Sequence, residues 1–95
     1  MEPHVKHTAV LYTKGDCHLC ERAKLLLERL QRDVDLDVEE VDITRDEALF
    51  EQYRYVIPVV VVDGVHCFEP NKLAEHYLRR VLTPVRPGTW WPWRR

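Results

Sequence analysis

The sequence predicts an α/β domain in the order βαβαββα, with one four-stranded mixed sheet flanked by helices on both faces. Three observations carry this. A β-branched run, a long helical periodicity and a second alternating run follow one another in the first half. Val59-Val60-Val61-Val62 is apolar on successive residues, as in a strand buried on both faces, and Asp63-Gly64 turns it into another short β-run. A final amphipathic segment lies between Pro70 and Pro84.

Thr8-Ala9-Val10-Leu11-Tyr12-Thr13 reads as the first strand, ended by the loop chemistry of Lys14-Gly15-Asp16. From Leu19 the apolar positions Leu19, Ala23, Leu26, Leu27 and Leu30 trace one helical face, with Glu21, Arg22, Glu28 and Arg29 opposite, so a helix is expected to about Arg32. Val34, Leu36 and Val38 then alternate with acidic residues, and Val41 and Ile43 resume out of phase. This predicts a second strand with a bulge near Glu39-Glu40.

Thr44 and Glu47 have capping-box spacing before Ala48-Leu49-Phe50, predicting a short helix that ends before Val56. Pro58 opens the third strand, and Val65-His66-Cys67-Phe68 forms its antiparallel partner across Asp63-Gly64. Pro70-Asn71 introduces a last helix whose Leu73, Tyr77, Leu78, Val81 and Leu82 share a face, and Pro84 stops it. A strand-helix-strand unit implies a parallel pair with a right-handed crossover, to which the hairpin adds antiparallel strands.

With 95 residues, 45% of them apolar and 32% charged, the chain has room for one core. We divide it into an N-terminal extension (1–7), the α/β domain (8–82) and a C-terminal tail (83–95). The net charge of −2 lacks the basic footprint of nucleic-acid binding. No stretch approaches the roughly 20 apolar residues that cross a bilayer. Met1 to His7 has no signal-peptide pattern, so a cytoplasmic protein is expected, and we expect it to be a monomer.

Chemistry concentrates at Cys17 and Cys20, which fall between the first strand and the first helix. A thiolate at a helix start is stabilised by the dipole and the unpaired backbone N–H groups there. An odd count of three cysteines argues against a disulfide-stapled secreted scaffold, which leaves a catalytic dithiol or a metal site. Lys14 favours a Cys17 thiolate and Asp16 opposes it. His18 either supports the thiolate or is an exposed residue of the turn.

Tyr12-Thr13-Lys14 leading to Cys17-His18-Leu19-Cys20, with Val56-Ile57-Pro58-Val59-Val60 some forty residues later, resembles the glutaredoxins and their glutaredoxin-like relatives of the thioredoxin superfamily. The resemblance implies a thioredoxin-like fold and makes Cys17 the exposed nucleophile and Cys20 the buried resolving thiol. It makes Pro58 a cis proline facing them, and places Lys14 near the thiolate or a glutathione carboxylate. Ile57 would then offer its backbone to an extended substrate. Glutathione-using relatives carry a Gly-Gly pair and an acidic residue after the last hairpin, whereas here the chain reads Val65-His66-Cys67-Phe68-Glu69-Pro70-Asn71.

The activity this implies is dithiol thiol–disulfide exchange on protein or small-molecule disulfides. No cofactor is expected beyond the Cys17–Cys20 disulfide itself, with glutathione or a flavin-dependent disulfide reductase as electron donor. The alternative is a metal or iron–sulfur site built from the same cysteines. Cys67 is expected to pack inertly on the fourth strand, on the opposite sheet face from His66. The tail holds Trp90, Trp91 and Trp93 beside Arg86, Arg94 and Arg95. It is expected to fold back over an exposed patch of its own domain, the alternative being a docking segment for a partner.

Overall fold

The computed structural model describes residues 5–83. Strands β1 (His7–Thr13), β2 (Leu36–Asp42), β3 (Val59–Val62) and β4 (His66–Phe68) form one sheet in the order β2-β1-β3-β4. β1 runs parallel to β2, and β3 is antiparallel to both β1 and β4. Helices α1 (His18–Leu30) and α3 (Glu75–Leu78) lie against one face, and α2 (Glu47–Tyr53) serves the other, where Tyr53 stacks on Tyr12. The expected α/β order and mixed sheet are therefore present.

The core belongs to the α1 side. His7, Ala9, Leu11 and Thr13 of β1 are buried on that face, and Ala9 and Leu11 join Val60, Val62, Ala23, Leu27, Leu30, Leu78 and Leu82 in one cluster. Each fully buried Leu or Val stabilises the fold by about 1.5–3 kcal/mol relative to its exposed state. β3 is buried as its apolar run requires, except that Val61 is only half-buried. The turn after it also meets expectation, since Asp63 and Gly64 take φ values of 55° and 73°, the pair of left-handed residues that a type I′ hairpin needs.

One buried imidazole ties three segments together. His7 lies within hydrogen-bond distance of Asp63 (Nδ1 to Oδ2, 2.7 Å), and its Nε2 accepts from the Thr83 backbone N–H (3.0 Å). With Nε2 accepting, the network assigns the proton to Nδ1. Asp63 also receives the Thr8 N–H through Oδ1 (3.0 Å). Burial pushes the Asp63 carboxyl up, but the hydrogen bonds from the Thr8 N–H and the His7 ring outweigh it and hold the carboxyl below its usual range.

Several local expectations are corrected. β2 pairs with β1 in unbroken register from His7↔Leu36 to Thr13↔Asp42, with no bulge at Glu39-Glu40. The phase change arises because Leu36 and Val38 face the core whereas Val41, paired with Tyr12, lies on the α2 face. Thr44 does not cap α2. Residues Ile43–Arg45 form a 3-10 turn in which Asp42 accepts from Thr44, and Asp46 is the true cap, accepting from the Leu49 N–H at 3.1 Å.

The last helix is broken as well. Pro70–Lys72 is a separate 3-10 turn, Leu73 leaves helical geometry with ψ 75°, and α3 starts at Glu75 behind Ala74, an N-cap that offers no side-chain hydrogen bond. Leu78 and Leu82 still reach the core, so the spacing reported a buried face correctly but not a continuous helix. Leu19 leaves the buried stripe at 53% exposure, and Cys67 is exposed instead of packed. The tryptophan-bearing tail lies outside the described residues.

Candidate functional site

Where β1 ends, the chain turns through Lys14-Gly15-Asp16 and enters α1. Asp16 adopts a left-handed φ of 60°, a conformation that Asp tolerates better than most residues. Cys17 is then the N-cap of α1, with extended backbone angles, and its Sγ accepts from the Cys20 N–H at 3.2 Å. A cysteine thus takes the capping place usually held by Ser, Thr, Asp or Asn, with sulfur aimed at the open end of the helix.

Cys17 and Cys20 are joined in a disulfide, their Cα atoms 5.1 Å apart. Their exposures differ. Cys17 is half-buried and Cys20 is buried at 3%. A molecule approaching from solvent therefore meets Cys17 first.

Two concavities border this turn. One is a cleft of about 530 Å³ lined by both cysteines, in which Lys14 and Asp16 of the turn meet Glu21 and Lys24 of α1 and Glu40, Asp42 and Arg45 from the end of β2 and beyond it. Lys24 pairs with Glu40 at 3.4 Å. Hydrogen bonds from the Thr44 hydroxyl and then its backbone N–H, aided by the Arg45 charge, hold the Asp42 carboxyl below its usual range against the opposing effect of desolvation. Lys14 lines this cleft with no ion-pair partner among the described residues.

The second is a groove of about 390 Å³ on the other side of α1, where Leu19, Leu26, Pro58, Pro70 and Leu73 supply an apolar floor and Arg22 and Arg29 supply charge. The Ile57–Pro58 bond is cis and Pro58 is fully buried. Val59 pairs with Tyr12, which brings Pro58 level with the end of β1, where the dithiol turn begins.

Lys14, Cys17 and Cys20 thus share one cleft, and Pro58 shares the adjoining groove with Leu19. His18 is exposed and lines neither, as does the half-buried Ile57. Cys67 stands apart, on the α2 face near Tyr53, whose hydroxyl is pushed up by burial first and then by Tyr12 and Cys67. Among the described residues no group of three or more His, Cys, Asp or Glu side chains stands together as a metal-ligand set.

Leu19 and Arg45 are the site residues that periodicity missed. Leu19 could have been found from its place between the two cysteines, in the first turn of α1. Arg45 follows the carboxyl end of a parallel strand, where open α/β sheets place their ligand crevices.

The family model of the glutaredoxin-like domain (DUF836) matches residues 8–83. No curated protein matches the sequence. Among solved structures, a mutant thioredoxin from Halobacterium salinarum NRC-1 superposes with a TM-score of 0.52 at 22% identity, over 65% of this chain and 59% of that one. The chain thus spans less than two thirds of that thioredoxin's length. A malarial protein superposes with a TM-score of 0.59 at 12% identity, over 80% of this chain and 92% of that one. At these identities the two structures speak for the thioredoxin-like fold, and the disulfide-linked Cys17–Cys20 pair, with the family match, supports a redox-type function.

Proposed function

The chain belongs to the glutaredoxin-like domain (DUF836) family, and from that premise we propose that it is a dithiol thiol–disulfide oxidoreductase acting on disulfides of proteins or small molecules. The observation that carries this reading is the unequal exposure of two bonded sulfurs at one helix start, Cys17 half-buried as the N-cap and Cys20 buried behind it. In the reduced protein the Cys17 thiolate attacks one sulfur of the substrate disulfide. A mixed disulfide forms and the other substrate sulfur leaves as a thiolate, which takes up a proton from solvent. Cys20, deprotonated, then attacks the Cys17 sulfur, releasing the second substrate thiolate and forming the Cys17–Cys20 disulfide. Two electrons have passed to the substrate.

The reducing half returns them. Glutathione or a flavin-dependent disulfide reductase opens the Cys17–Cys20 bond by the same exchange in reverse, so no further cofactor takes part. Lys14 supplies positive charge for the thiolate or an anionic substrate group, and the Cys20 N–H supplies a hydrogen bond to Cys17 Sγ. Pro58 lines the apolar groove, which would receive an extended substrate segment, with the backbone of the preceding Ile57 and the exposed His18 of the turn as further contacts outside the groove. We place the protein as a cytoplasmic monomer whose partners are disulfide-bearing proteins.

The test is a redox titration in glutathione buffers, reading thiol labelling by mass spectrometry. A reversible two-electron transition confined to Cys17 and Cys20, with a mixed disulfide trapped on Cys17 when Cys20 is replaced by serine, supports the reading. Absence of a Cys17–Cys20 disulfide at every potential overturns it. Anaerobic purification with metal analysis and visible absorbance separates the competing iron–sulfur reading.

A further inference from the structure

Two leucines of α1 remain in water although the helix packs on a core. Leu19 is 53% exposed and Leu25 61%, and both line the groove of about 390 Å³ between α1 and the segment Pro70–Glu75, with Pro58 in the same lining. Leu26 and Leu73, also in that lining, are half-buried. Exposed apolar side chains gathered in one concavity, instead of scattered singly, mark a surface that takes up a partner.

Arg22 stands midway between the two leucines and lines the groove with them. Its helical neighbours three and four positions away are His18, Leu19, Leu25 and Leu26, none of them acidic, and it has no ion-pair partner among the described residues. The neighbouring cations of α1 are matched. Lys24 pairs with Glu40 and Arg29 with Glu75, and Arg79 engages Glu75 as well. Glu75 is the one carboxylate of the groove lining, so the charge left uncompensated there is that of Arg22.

We propose that this groove receives an extended protein segment whose apolar side chains rest on Leu19 and Leu25 and whose aspartate or glutamate meets Arg22. The proposal rests on the dithiol reading and names its substrate class, protein disulfides flanked by an acidic residue. Geometry fixes the register. From Cys17 to Arg22 the helix rises about 7.5 Å, and an extended segment advances about 3.3 Å per residue. The carboxylate therefore falls two or three residues from the substrate cysteine that bonds to Cys17.

Charge favours this occupant over two others. Residues 84–95 contain three arginines and no acidic side chain, so they do not complement Arg22. A second copy laid on the groove by two-fold symmetry brings two uncompensated Arg22 guanidiniums into one interface.

The test uses peptides with a single cysteine, loaded as mixed disulfides with nitrothiobenzoate and reacted with the reduced full chain in stopped flow. Glutamate, glutamine or lysine stands three residues before the cysteine in one set and three after it in another. Cys17 takes the peptide sulfur, coloured nitrothiobenzoate leaves as the thiolate, and Cys20 then releases the peptide thiol, so one dithiol is oxidised and one disulfide reduced. In one of the sets the glutamate peptide is expected to react roughly threefold faster than the glutamine peptide, with lysine slower still. Salt should compress that spread. Arg22→Lys should keep the order and Arg22→Glu should reverse it. Arg22 is exposed, and far-UV circular dichroism confirms that both variants fold.

Equal rates for the three peptides in both sets overturn the proposal while the dithiol reading stands. A glutamate preference that survives Arg22→Glu overturns it too and gives the selection to the cleft around Lys14. Charge-blind exchange by a protein that sediments as a dimer assigns the groove to a second copy. If no peptide releases nitrothiobenzoate and bis(hydroxyethyl) disulfide is not reduced either, the dithiol reading fails and this proposal falls with it.

Discussion

Replacing Asp63 with alanine tests how much of the domain's stability depends on the His7 junction. The substitution removes the acceptor of two hydrogen bonds, from His7 at 2.7 Å and from the Thr8 N–H at 3.0 Å, and places alanine at φ 55°. His7 is 5% exposed, so its Nδ1–H is left unsatisfied, whereas the Thr8 amide can turn to water. Losing a hydrogen bond to a charged group costs about 1.5–3 kcal/mol and a left-handed alanine costs roughly another 1, giving about 3 kcal/mol in all. Asparagine keeps a carbonyl acceptor and tolerates the left-handed region, so Asp63→Asn should cost only about 1 kcal/mol.

Urea unfolding at neutral pH reads these values as a midpoint shift at constant slope. The pH dependence has a definite sign. Asp63 has a lowered pKa in the folded state, so its contribution is complete above the unfolded carboxyl range and is lost as pH falls through the folded value. The gap between the parent and Asp63→Ala must therefore narrow in acid. An alanine variant as stable as the parent, an asparagine variant as damaged as alanine, or a gap that keeps its full neutral-pH size in strong acid would each refute the account.

Leu27→Ala, at a site 1% exposed between α1 and the sheet, should lower stability by about 3 kcal/mol in the same assay. Glu75 accepts from Arg79 at 2.9 Å and pairs with Arg29 of α1 at 3.3 Å. The Arg79 hydrogen bond chiefly lowers its pKa, against desolvation. Glu75→Gln should cost about 0.5–1 kcal/mol after solvent screening, with a loss that shrinks as acid protonates the parent's carboxyl and as salt is added. Lys14→Glu should slow exchange with an anionic disulfide several-fold and with a neutral one less, the difference fading at high ionic strength in stopped-flow kinetics. Equal slowing of both removes Lys14 from substrate binding.

The elements fixed by strong local chemistry were the most legible in sequence. The Val59–Val62 run and the Asp63-Gly64 turn needed no tertiary information, because successive apolar residues and two left-handed positions admit few alternatives. The dithiol turn was equally plain, since the cysteines lie between a strand and a helix. Features decided by long-range packing were not visible. The out-of-phase Val41 looked like a bulge because one strand in isolation does not show which face α2 covers. Asp46 displaced Thr44 as the cap because Thr44 was drawn into a turn by Asp42. His7 was missed altogether, since its partners Asp63 and Thr83 lie 56 and 76 residues away.

That imidazole also gives the domain a direction. It fastens the start of β1 to the backbone at Thr83, so the described chain enters and leaves at one pole. Cys17 follows the far end of the seven-residue β1, roughly 20 Å distant. Anything covalently attached beyond residues 5–83, whether a label or a solid support, starts from the pole remote from the sulfurs. A label placed at His7 or Thr83 therefore sits at the pole opposite the reactive bond, as a handle sits opposite a probe's tip.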